Sequence, residues 1–91
     1  MKLKNGYDVY EAEGEYILIP LLDQVGEYKE AVMGLTETEA FLCRMLLEER
    51  THEELVKALL DEFDAEEETV REDVEEFTAF LKRKRMLNGY D

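Results

Sequence analysis

The chain has no tryptophan, one cysteine, one proline and one histidine, and cations are scarce: 11 Lys and Arg stand against 24 Asp and Glu, a formal net charge of -13 over 91 residues. Each shortage removes a class of function. A surface this acidic repels a nucleic-acid backbone. Cys43 alone cannot form an internal disulfide and fits a reducing compartment. With His52 as its only companion among the softer ligands, a metal site lacks donors, and no metal or cofactor is expected. No apolar run reaches the roughly 18 residues that span a bilayer, and Met1 to Asn5 is followed by no apolar signal region, so a cytoplasmic protein without a membrane partner is expected. Five glycines are scattered without forming a phosphate-binding loop.

What is present is a folding composition, 45% hydrophobic with 38% charged residues, rather than that of a disordered tail. The length implies one small domain, 1–91, that buries a modest fraction of its surface and gains from a partner. The pattern changes near Gly34, dividing a strand-rich part, 7–34, from a helical part, 36–87.

In the first part, residues 7–12 and 15–19 carry the aromatic and β-branched residues of half-buried strands, with Glu13 and Gly14 between them as a hairpin turn. Pro20 has no N–H for a ladder and should end the second strand or lie at an edge. A third strand is expected over 28–33, after a turn opened by Gly26, although a pattern this short also fits a turn of helix. In the second part, Thr36 with Glu39 and Thr51 with Glu54 match the capping box, predicting helices over 36–47 and 51–63. A third helix runs over about 67–85, its start open between an Asp64–Glu67 box and a cap at Glu66.

Apolar spacing assigns the buried faces. They are Phe41, Leu42, Met45 and Leu46 in the first helix, Leu55, Val56, Leu59, Leu60 and Phe63 in the second, and Val70, Val74, Phe77 and Leu81 in the third. Cys43 points away from the centre of its stripe. Phe80 falls about 60° or more off the third stripe, at the boundary with solvent, where an aromatic can anchor a partner or cover its own sheet. The run Lys82, Arg83, Lys84 and Arg85 complements the negative end of the third helix dipole. Catalytic readings are weak: Cys43 would need an activating base near it while its neighbours Phe41, Leu42, Met45 and Leu46 suggest helix packing, and pairs such as Glu53–Glu54 and Glu75–Glu76 read as solvated helix residues, so no catalytic residue is expected.

Taken in order, Glu15–Pro20, then Leu35, Thr36, Glu37, Thr38, Glu39, Ala40, Phe41 and Leu42, then Thr51, Glu53, Glu54, Leu55, Val56, Ala58 and Leu59, then Asp73, Val74, Phe77 and Leu81 resemble the PqqD family, the small peptide chaperone of pyrroloquinoline quinone (PQQ) synthesis and, more broadly, the RiPP recognition element. The resemblance covers nearly the whole chain, from about residue 9 to 87. It departs at Thr36, where the family often has Asn, at Cys43, where it often has Trp, and at Glu66 and Glu67, where Asp and Pro are expected. The family is therefore better supported than the quinone pathway itself.

The resemblance implies an α+β, winged-helix-like fold, with an N-terminal three-stranded antiparallel sheet followed by a three-helix bundle, and no catalysis. It implies binding of the leader of a ribosomally made precursor peptide by β-strand addition, and its presentation to a modifying enzyme, often a radical SAM enzyme. The implied groove has Lys29, Glu30, Ala31, Val32 and Met33 on one wall and Asp73, Phe77, Phe80, Leu81 and Lys84 on the other. The strand residues would act through backbone bonds, Phe77, Phe80 and Leu81 would accept apolar side chains, and Asp73 and Lys84 would set polarity and register. Alternatives from other classes are a winged-helix regulator, which the charge opposes, and a homodimeric module that pairs strand edges with itself. The tetrapeptide Asn5–Asp8, repeated at 88–91, carries no function we can assign.

Overall fold

In the computed structural model, described for residues 1–4, 6–20 and 33–89, the elements follow the order β1 (Lys2–Leu3), β2 (Tyr7–Ala12), β3 (Glu15–Pro20), β4 (Met33–Leu35), α1 (Glu37–Met45), α2 (His52–Glu62), α3 (Glu67–Arg83) and β5 (Leu87–Asn88). The α+β fold is thus a three-stranded antiparallel sheet, ordered β2-β3-β4, with three helices, and a second small sheet in which β1 pairs antiparallel with β5.

The hairpin forms where the sequence placed it. Ala12 pairs with Glu15 across Glu13 and Gly14, whose φ values of 53° and 82° both lie in the left-handed region that a two-residue turn of this hand demands. Glycine takes that conformation freely, whereas Glu13 carries a steric cost there. Tyr7 pairs with Pro20, so the proline closes the strand as expected. Register then sorts the faces: Val9, Leu18 and Met33 stand in one cross-strand row on the core side, and Tyr10 pairs with Ile17 on the other side, 48% and 38% exposed.

The expected third strand meets the described residues only at Met33; Lys29, Glu30, Ala31 and Val32 lie outside them. The described strand continues through Gly34 to Leu35, paired with Ile17 and Tyr16 respectively, so the change from strand to helix falls at Thr36 rather than at Gly34. The reason is visible at the cap: Thr36 keeps extended backbone (ψ 169°) as the helix begins, so the strand leads directly into α1.

Both capping boxes are made. Thr36 Oγ1 accepts from the Glu39 N–H at 3.1 Å while Glu39 Oε1 accepts from the Thr36 N–H at 2.9 Å, and Thr51 and Glu54 do the same at 3.1 and 2.8 Å. The open choice at α3 resolves to Glu66, whose side chain makes no capping bond. Acidic Glu67 and Glu68 in the first turn and Arg71 substitute for it: Arg71 bonds Glu67 at 2.8 Å and reaches Glu53 of α2 at 2.6 Å. At the other end, Arg85 adopts φ 61°, and the bonds Arg85 N–H to Lys82 O and Met86 N–H to Leu81 O form a Schellman motif with Met86 tucked into the core.

One continuous core joins the layers. Leu3, Val9 and Leu18 from the strands meet Leu42, Leu46, Leu55, Leu59, Val74 and Leu81 from the helices. Cys43 corrects the sequence reading, for it is fully buried. Because α1 packs against β2, β3 and β4 on one side and α2 on the other, its buried arc is wider than one stripe and takes in Ala40 and Cys43, while Phe41 and Met45 are only half-buried at the margin. Phe41 packs edge-on to Phe63, ring centroids 5.6 Å apart, tying α1 to the end of α2.

The terminal sheet had no signal in the sequence, because two-residue strands have no period. Further backbone bonds tie this N-terminal segment to the rest of the fold: Leu3 N–H to Leu46 O at 2.8 Å, Lys4 N–H to Met86 O at 2.9 Å and Arg50 N–H to Met1 O at 2.9 Å.

Candidate functional site

An open groove of about 670 Å³ runs between β4 and α3. Met33 and Gly34 form one wall; Asp73, Glu76, Phe77 and Phe80 form the other; Thr36, Thr38, Glu39 and Leu42, from the start of α1, make the floor. The α3 residues recur at i, i+3, i+4 and i+7, which places them on one helical face. On the facing wall, β4 pairs only with β3 among the described residues, so its outer edge presents unpaired backbone N–H and C=O groups to the groove.

The aromatic centre of the groove is built on α3. Phe77 is 7% exposed and rooted in the core; Phe80 is half-buried and stacks on it, centroids 6.3 Å apart and planes 17° from parallel. The Arg83 guanidinium and the Lys84 ammonium stand 6.0 and 5.8 Å from the Phe80 centroid, covering its ring with positive charge. Toward the other end the walls are acidic. Asp73 and Glu76 are exposed and make no ion pair among the described residues, and Glu39 also lines the groove while holding the α1 cap.

The residues singled out in the sequence separate as follows. Met33, Asp73, Phe77 and Phe80 are brought together in the groove. Lys84 lies at its rim, against Phe80. Leu81 has no exposed surface and packs in the core behind the aromatic pair. Gly34, Thr36, Thr38, Glu39, Leu42 and Glu76 line the groove without having been singled out. Glu76 was legible from its spacing to Asp73 and Phe80, whereas the α1 floor is set by tertiary packing of a helix start beneath the strand edge.

Burial first, and then the Glu39 charge, push the Cys43 thiol from an ordinary 9.0 up to about 12, so it stays protonated and shielded. Among the described residues no group of three or more His, Cys, Asp or Glu is placed to hold a metal ion, and no helix is long and apolar enough to cross a membrane.

The sequence model of the family described as "Coenzyme PQQ synthesis protein D (PqqD)" matches residues 19–87, a span that contains β4, all three helices and every groove residue. A solved structure described as "TbiB1 in Complex with the TbiA(beta) Leader Peptide" is similar to the whole molecule, with a TM-score of 0.74 and 27% identity over 100% of this chain and 99% of that one. No curated protein matches the chain.

Proposed function

Because this chain belongs to the PqqD family, we propose that it is a non-catalytic carrier that binds the leader of a ribosomally synthesised precursor peptide and delivers it to a modifying enzyme. The observation that carries this reading is the outer edge of β4, unpaired among the described residues, facing Phe77 and Phe80 across an open groove. An extended leader adds to that edge as a further antiparallel or parallel strand, its backbone satisfying the unpaired groups, and alternate side chains turn toward α3. Backbone bonds are indifferent to sequence, so choice of leader falls to the α3 wall. The similar TbiB1 structure holds a leader peptide, which supports the same use here.

The enzyme served is a separate or fused peptide-modifying enzyme, with a radical SAM enzyme the first expectation from the family, and the pathway is PQQ synthesis or another peptide modification in the cytoplasm. The test is isothermal titration of the chain with the leader segments of candidate precursor peptides from its source genome, combined with amide exchange. One-to-one binding with new protection at Met33, Gly34 and Leu35 is expected; absence of binding, or protection confined to other elements, overturns it. The same free edge favours one competing reading, a homodimer paired through β4. Sedimentation across concentrations separates the two, since a dimer built on that edge dissociates when leader binds.

A further inference from the structure

The groove is electrically polarised along α3, and this has consequences for the peptide it takes. Asp73 and Glu76 stand exposed and without an ion pair among the described residues at one end; Arg83 and Lys84 lie against Phe80 at the other. The two ends differ in sign on a chain whose net charge is -13, so the cations are not a general surface property. At about 1.5 Å per helical residue, Phe80 lies about 10 Å along α3 from Asp73, and Lys84 about 16 Å. An extended peptide advances about 3.3 Å per residue, so side chains on its α3-facing side recur about every 6.6 Å. Three successive facing positions therefore match three different environments. The first falls beside Asp73 and Glu76, the second on the Phe77–Phe80 stack, and the third about 13 Å along, within reach of the long Arg83 and Lys84 side chains.

We propose that the groove selects an extended peptide segment with a basic residue, an apolar residue and an acidic residue at alternate positions n, n+2 and n+4, read in one direction along the chain. The inference rests on the leader-binding reading and specifies its ligand. The apolar residue sits on the aromatic stack and supplies most of the contact, since the flanking pairs lie at the wet margins of the groove. The charges set direction and register: a peptide laid in backwards puts like charges together at both ends, and one slipped by two residues puts a charge on the aromatic stack and the apolar residue at a charged end. Backbone pairing alone fixes neither, because a strand edge offers the same bonds at every second residue.

The experiment is selection of a displayed library of nine random residues against the whole chain, followed by the same selection against the Asp73→Lys/Glu76→Lys double variant. A second variant, Arg83→Glu/Lys84→Glu, probes the opposite end, and circular dichroism confirms that each variant is folded. Enrichment of the basic, apolar, acidic pattern at alternate positions is expected, with the basic preference lost or reversed in the first variant and the acidic one in the second. A synthetic peptide carrying the pattern should lose about fivefold or more in affinity to either variant, the measure of one exposed charge pair made unfavourable. Enrichment of apolar peptides with no charge bias, or a bias that neither variant moves, overturns the polarity inference while leaving peptide binding standing. Recovery of no peptide at all overturns both.

Discussion

Adjacent residues on α3 offer a direct separation of binding from folding. Phe80 is half-buried in the groove, and Leu81, the next residue, has no exposed surface. Replacing Phe80 with Ala removes one ring of a stacked pair with centroids 6.3 Å apart and the surface on which Arg83 and Lys84 rest. A partly exposed aromatic pair contributes about 0.5–1.5 kcal/mol to folding, so the variant stays folded with a modestly lowered midpoint. Binding suffers more, because the same ring is the apolar centre offered to the peptide: a loss of about 1–3 kcal/mol, or about 5- to 150-fold in Kd, is expected. Leu81→Ala behaves in the opposite way. It leaves a cavity in the core and costs about 2–5 kcal/mol of stability, while the folded fraction keeps its groove and near-normal affinity. Urea unfolding and calorimetric titration of the leader, run on both variants, give the two numbers for each. Unchanged affinity in Phe80→Ala, or a larger affinity loss per folded molecule in Leu81→Ala, refutes the assignment of Phe80 as the contact and Leu81 as its support.

Four further outcomes follow from other parts of the structure. Arg85→Gly, at φ 61° in the Schellman turn, relieves left-handed strain and should raise stability by about 0.5–1 kcal/mol, seen as a higher thermal midpoint with unchanged leader affinity. Cys43, held protonated up to about pH 12, should resist a thiol reagent at pH 8 until urea unfolds the chain. Its raised folded pKa also means that the native state keeps a proton the unfolded chain gives up above 9.0. Stability should therefore fall with pH between 9.0 and about 12, by about 1.4 kcal/mol per unit more than in Cys43→Ala; parallel slopes count against it. The Glu53 carboxyl is held low chiefly by its hydrogen bonds from Arg71, so that pair supports folding above the ordinary carboxylate range and loses its effect as pH falls through the folded value. The thermal midpoints of the wild type and Arg71→Ala should then converge in acid, and a constant gap from pH 7 to about pH 2 contradicts the pairing.

Local chemistry made much of the fold legible. Capping boxes name their own partners, so Thr36–Glu39 and Thr51–Glu54 fixed two helix starts to the residue, and a Glu-Gly step between alternating segments fixed the hairpin. The groove was half legible. Asp73, Phe77 and Phe80 share a helical face that spacing alone reveals, but Thr38, Glu39 and Leu42 enter the site because α1 begins under the edge of β4, a tertiary event with no local sign. Cys43 shows the same limit from inside. A single apolar stripe describes a helix with one neighbour, and α1 has packed neighbours on two sides. β1 and β5 are joined across nearly the full length of the chain by backbone bonds, which no side-chain pattern encodes.

The four consecutive cations at the end of α3 show how geometry divides a motif that reads as one. As a run, Lys82 to Arg85 looks like a complement to the helix dipole, and Lys82 and Arg83 do occupy the last turn. Successive residues on a helix, however, point about 100° apart, so four in a row cannot serve one face. Arg83 and Lys84 fall on the Phe80 side, at the groove. Lys82 turns toward a separate depression at the start of α2, with Arg50, Thr51 and His52. Arg85 leaves the helix altogether to make the left-handed turn that returns the chain to β5. The dipole accounts for positive charge at this end but not for its placement on an aromatic ring beside an acidic groove. A dipole effect would be served equally by cations on any face, whereas recognition requires them on this one, so Lys84→Gln, which leaves Lys82, Arg83 and Arg85 to complement the dipole, should preserve stability and weaken binding of an acidic residue.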